Sequence, residues 1–189
     1  MSVPEAFWDF SLRTYETPGV APACLALQDD YALDVNVLLY CCWTSQRGIR
    51  LSGSDLERVL DFSRPWAKNF VQPLRTARNW MKSDGCAQAQ VPTDSCLQLR
   101  ESIIAIELAS ERLQQRVLES MTGDAVSQNG SVIARITVAA KNLQLYLAAA
   151  GAQANATVID QLAIIVTAGA GADSTAHARQ QLMRLTSND

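Results

Sequence analysis

The sequence has a single histidine, His177. That scarcity excludes a metal centre built from several imidazoles, and it leaves a Ser-His-Asp relay only one possible base. His177 lies in a polar C-terminal segment with no G-x-S-x-G turn nearby, so a surface histidine is expected. Paired-cysteine spacing is missing too. Cys24, Cys41, Cys42, Cys86 and Cys96 are odd in number and contain no C-x-x-C, which argues against a disulfide framework and against a zinc site. Buried free thiols in a reducing cytoplasm are the expectation. No run of apolar residues is long enough for a membrane span. The best stretch, ATVIDQLAIIVTAGAGA, is short and carries Asp160 and Gln161. The opening MSVPEAFWDF lacks a basic region followed by an apolar core, so no secretory leader and a cytoplasmic location are expected. An excess of positive charge is lacking: 16 Lys and Arg stand against 19 Asp and Glu, net −3. Direct nucleic-acid binding is therefore not expected. GAGADS lacks the Lys-Ser/Thr of a phosphate loop. No cofactor is implied.

What is present is enough apolar material (48%) for a sizeable core. It is unevenly spread. All four Trp, all four Phe and three of four Tyr precede residue 83, and only Tyr146 follows it. Charge is segregated as well. Residues 1–46 carry one Arg and six acids, residues 47–82 carry eight Lys or Arg and three acids, and the rest is again acidic. The composition changes at SDGCAQAQVPTDS. We read an aromatic-cored helical unit over 1–82, a linker over 83–95, and an Ala/Leu-rich helical unit over 96–189 that could be continuous with the first.

Helical spacing runs through both parts, and no stretch alternates like a strand. Capping boxes are expected at Ser2–Glu5 and Ser54–Glu57. Helices are expected over about 20–31 and 35–47. Ser63 is expected to cap a further helix kinked at Pro73. Leu99, Ile103, Ile106, Ser110, Leu113 and Val117 form a heptad seam on a long helix, and Val132, Ile136, Ala139, Leu143 and Tyr146 form another. Gly123 to Gly130 reads as a loop. The expected fold is all-α, an antiparallel multi-helix bundle.

Three features could carry function. Asp29, Asp30 and Asp34 spell D-D-x-x-x-D, a spacing that can hold magnesium with a diphosphate. It would make the chain a small all-α enzyme or a binder of a phosphorylated or isoprenoid ligand. A simpler role is available for Asp34, which directly precedes the apolar run VNVLLYCCW and can cap that helix. Gln28, Asp29, Asp34 and Asn36 then form a structural corner. Second, Arg64, Lys68, Arg75, Arg78 and Lys82 share one face of the 63–82 helix, opposite Trp66, Phe70, Leu74, Trp80 and Met81. That basic row is either a solvated face, partly paired with the acidic N-terminal segment, or a docking face for an acidic protein. Third, the 99–117 seam is either the inside of the bundle or a surface for a partner helix or a second copy.

FWDFSLRTY, PGVAPACLALQD and DVNVLLYCCW resemble an uncharacterised proteobacterial family of unknown function, over roughly the first 80 residues. Its members commonly have Gly close before the Asp of DVN, where this chain has Leu33. The chain is also similar in size and organisation to the quorum-sensing antiactivators of pseudomonads, the class that includes the quorum threshold expression element. That resemblance implies a non-enzymatic regulatory protein that binds LuxR-type transcription factors by protein contact.

Overall fold

A computed structural model describes residues 5–83, 85–122 and 130–186. The expected Ser2 cap and most of the Gly123–Gly130 loop lie outside them. Among the described residues every regular element is helical: α1 Phe7–Tyr15, α2 Val20–Tyr31, α3 Val35–Gln46, α4 Gly53–Trp66, a π turn Ala67–Val71, α5 Gln72–Lys82, α6 Gly85–Gln88, α7 Thr93–Ser120, α8 Val132–Ala150, α9 Ala156–Ala170 and α10 Thr175–Thr186. The fold is an all-α bundle, as its periodicity predicts.

The bundle is built around α3. Its run VNVLLYCCWTS is apolar or small on every side, the pattern of a helix enclosed by others, and each of these residues is buried. It packs against α1, α7, α8 and α9. Phe7 stacks on Trp43 at 5.2 Å between ring centroids and meets Tyr40 edge-on at 5.8 Å. The Trp43 indole donates to the Glu5 carbonyl at 3.0 Å, so this large ring is buried without an orphaned N–H. Asn142 of α8 is fully buried opposite α3. Its amide nitrogen donates to the Ile49 carbonyl and the Thr44 hydroxyl, and its oxygen accepts from the Leu51 amide. One side chain thereby fixes the turn between α3 and α4.

A single core cluster runs from Phe7 to Leu182. The 83–95 segment expected to link two units therefore does not divide the core. Instead it forms the tip of a hairpin. α4 continues through the π turn into α5, and α6 and α7 bring the chain back. Pro73 has no N–H to offer the preceding turn, and Asn69 Nδ2 takes the Pro65 carbonyl at 2.9 Å. The expected kink at Pro73 is thus a π turn just before it, and Ser63 lies inside α4 rather than capping a new helix. The α4 capping box also falls two residues earlier than expected. The S-x-x-acid pattern occurs twice, and the first copy is used: Ser52 Oγ accepts from the Asp55 amide while Asp55 accepts from the Ser52 amide.

α5 has no buried residue, and among the described residues it packs mainly on α6, α7 and the π turn. At the tip, Cys86 of α6 and Cys96 of α7 form a disulfide, with their Cα atoms 6.4 Å apart. This corrects the expectation of free thiols throughout. Spacing alone does not show that a short helical turn folds these two back onto each other. Cys24, Cys41 and Cys42 are free and buried, and burial pushes the Cys24 thiol up to about 11.

Candidate functional site

The corner between α2 and α3 opens into a cleft of about 570 Å³. α2 ends with Ala32 in the left-handed region (φ 54°), the Leu33 amide closes back on the Leu27 carbonyl, and Leu33 is buried. The chain then turns through Asp34, the α3 N-cap. One carboxylate oxygen accepts from the Asn36 amide at 2.9 Å, and the other accepts from Gln114 Nε2 at 2.7 Å. The Asp34 amide donates to the Tyr146 hydroxyl at 2.8 Å. Asn36 Nδ2 donates to Gln114 Oε1, and Gln115 Nε2 donates to Asn36 Oδ1, both at 2.8 Å. The corner is thus laced to α7 and α8. Burial raises the Asp34 carboxyl above its usual range, against the lowering effect of Gln114 and the Asn36 amide. Burial and the nearby Asp34 charge also push the Tyr146 phenol up.

Gln28 and Asp29 stand on the rim of this cleft, bonded to each other at 3.0 Å. Asp30 is exposed and does not line it. Among the described residues no group of three or more His, Cys, Asp or Glu is gathered closely enough to hold a metal ion. The D-D-x-x-x-D carboxylates do not converge, because Asp34 turns inward to cap α3 while α2 ends between it and Asp30. The far wall comes from α4, the π turn and α5. Arg64 donates to the Ala149 carbonyl at 2.7 Å, holding the C-terminal end of α8. Ser63 also lines the cleft, is buried, and has a hydroxyl with no hydrogen-bond partner among the described residues.

The basic row is split: Arg64, Lys68 and Lys82 are exposed, while Arg75 and Arg78 turn toward α7. Arg75 Nε pairs with Glu107 at 2.9 Å and its Nη2 with Glu111 at 2.6 Å, while Arg78 pairs with Glu107 at 3.2 Å. These partners belong to α7, not to the acidic N-terminal segment. The Glu107 side chain is 7% exposed, so removing its arginines would leave a buried charge unpaired. Burial lowers the Arg75 pKa, but Glu111 and Glu107 outweigh it and the net shift is upward. Burial raises the Glu111 carboxyl despite Arg75. Lys68 and Lys82 are exposed.

Turning the arginines inward puts the aromatic side of this segment outside. Phe70 is 41% exposed and Trp80 is 51% exposed. Trp80, Ala77, Pro73, Thr76, Gln72 and Lys68 line a shallow groove on the outer face of α5. The α7 seam is divided between the two readings: Ser110 is buried, and Ile103 and Val117 are half-buried. The inner face of α7 carries Glu107, Ser110, Gln114 and Gln115, and Leu99, Ile106 and Leu113 of the seam are exposed. The α8 seam does face inward: Ile136, Ala139, Leu143 and Tyr146 are all buried. Gln114 and Gln115 are site residues that spacing did not single out, and Ser63 was expected only as a cap. The available signal was the polar Glu-x-x-Ser-x-x-x-Gln-Gln row (Glu107, Ser110, Gln114, Gln115) running beside the apolar seam.

A helical bundle with a polar corner cleft and an apolar-faced hairpin defines the protein's architecture. Residues 6–118 match the family described as protein of unknown function (DUF2390), and the chain belongs to that family. No curated protein and no solved structure matches the chain. No helix among the described residues is long and apolar enough to cross a membrane.

Proposed function

We propose that the protein is a non-enzymatic regulator that acts by protein–protein contact through the outer face of α5. The observation that carries this reading is Trp80, half-exposed in a shallow groove with Pro73, Ala77 and Lys68. A bundle of this size does not need to leave a tryptophan in water, and tryptophans in such grooves commonly anchor partners. Lys68, and Lys82 two residues beyond Trp80, favour an acidic amphipathic segment over a basic one. The resemblance to quorum-sensing antiactivators makes a LuxR-type transcription factor the partner to try first. In a pull-down with tagged LuxR-type proteins, the wild-type chain should capture a regulator, and Trp80→Ala should lose at least tenfold in affinity. Capture that Trp80→Ala and Lys68→Glu leave unchanged would remove α5 as the docking face.

A second reading is favoured by the unpartnered Ser63 hydroxyl in the corner cleft. A small polar ligand there would satisfy it. Thermal stabilisation by magnesium with diphosphate, abolished in Asp34→Asn, would support the enzyme or ligand-binder alternative instead.

A further inference from the structure

α7 carries two exposed rows that together form a complete heptad surface. Leu99, Ile106 and Leu113 recur every seven residues. Ser95, Ser102 and Ala109 recur every seven residues beside them, and all six are exposed. At 100° per residue they fall within about 80° of one another on the helix. One row is large and apolar, the other small. Such a surface fits a second helix closely only where large side chains meet small ones.

We infer that two copies of the chain pair through α7, antiparallel, with Leu99, Ile106 and Leu113 of each copy seated on Ala109, Ser102 and Ser95 of the other. One register satisfies all three contacts at once, because 99 + 109, 106 + 102 and 113 + 95 are the same sum. The two-fold axis then passes level with Ile104. The flanking charges agree with this register, which sets Asp94 of each copy within one turn of Arg116 of the other. Neither residue has an ion-pair partner among the described residues. From Ser95 to Arg116 the helix runs about 33 Å. Contact over that length removes on the order of 1,000 Å² from water in total, the low end for a specific interface. Leu99, Ile106 and Leu113 are 57%, 48% and 45% exposed in the single chain, so the interface needs no rearrangement. The surface is separate from the α5 groove, so the two readings stand or fall apart.

Sedimentation equilibrium on the intact, disulfide-bonded chain tests the pairing. The wild type should be dimeric, and Ile106→Glu should be monomeric with an unchanged helical CD spectrum. Leu99→Glu serves as the second variant. Asp94→Arg and Arg116→Asp should each raise the dimer dissociation constant about tenfold, and the double variant should recover most of that loss. Trp80→Ala should leave the dimer intact. A wild type that stays monomeric at every accessible concentration overturns the proposal, as does an Ile106→Glu that stays dimeric. A double charge variant no better than the single ones overturns the register.

Discussion

Gln114 accepts from Asn36 Nδ2 at 2.8 Å while its own amide nitrogen donates to Asp34 Oδ2 at 2.7 Å. One side chain on α7 thus holds both the cap and the first turn of α3. Gln114→Ala would leave the Asn36 amide and the Asp34 carboxylate each short of a partner in a buried setting. We expect a loss of about 2–3 kcal/mol, read as a fall of roughly 4–10 °C in Tm.

The raised Asp34 carboxyl gives stability a pH signature. A carboxyl whose pKa is higher folded than unfolded binds its proton more tightly in the folded state. Its ionised form is the costly one. The contribution of Asp34 is therefore most favourable below its unfolded pKa of about 4, and it declines as pH rises through the higher folded value. Asp34→Asn removes that titration. Urea midpoints measured from pH 3.5 to 7 should show the variant gaining on the wild type as pH rises. An identical slope in both proteins would contradict the assignment.

Ala32 holds the left-handed conformation that closes α2, with φ of 54°. A Cβ there costs about 1 kcal/mol relative to glycine. Ala32→Gly should stabilise the fold by roughly that amount in denaturant titration. Leu33→Gly, which empties a buried position instead, should destabilise it.

The hairpin tip depends on Cys86–Cys96, because no α5 residue is fully buried and the core cluster does not reach it. The bond closes a loop spanning 10 residues, for which chain entropy gives roughly 2–3 kcal/mol. Cys96→Ser should speed amide exchange across α5, α6 and the start of α7, while amides around Trp43 stay protected.

The bundle was legible in the sequence because its signals are local. Asp34 was recognisable as a cap, and the α8 seam as an inner face, from spacing alone. The α5 and α7 faces were not. Helical spacing shows that Arg75 and Trp80 lie on different sides of a helix, but not which side meets the protein. Hydrophobicity would bury Trp80. The observed fold turns Arg75 inward because Glu107 and Glu111 offer it paired carboxylates across the hairpin. That preference rests on residues more than thirty positions away, and a short window cannot register it. The same holds for Gln114, whose role exists only once α3 lies beside it.

The π turn at Ala67–Val71 has a consequence for how this hairpin could change. A π turn holds one residue more than an α turn, so everything after it is rotated by about 100° relative to an uninterrupted helix. Arg64, before the turn, reaches α8; Arg75, after it, reaches α7. The face that α5 shows to water is therefore set by a count of residues as much as by their chemistry. Deleting one residue between Ala67 and Val71 would swing Trp80 and Arg75 together by about 100° around the axis, taking Arg75 away from its glutamates without altering a single side chain in α5.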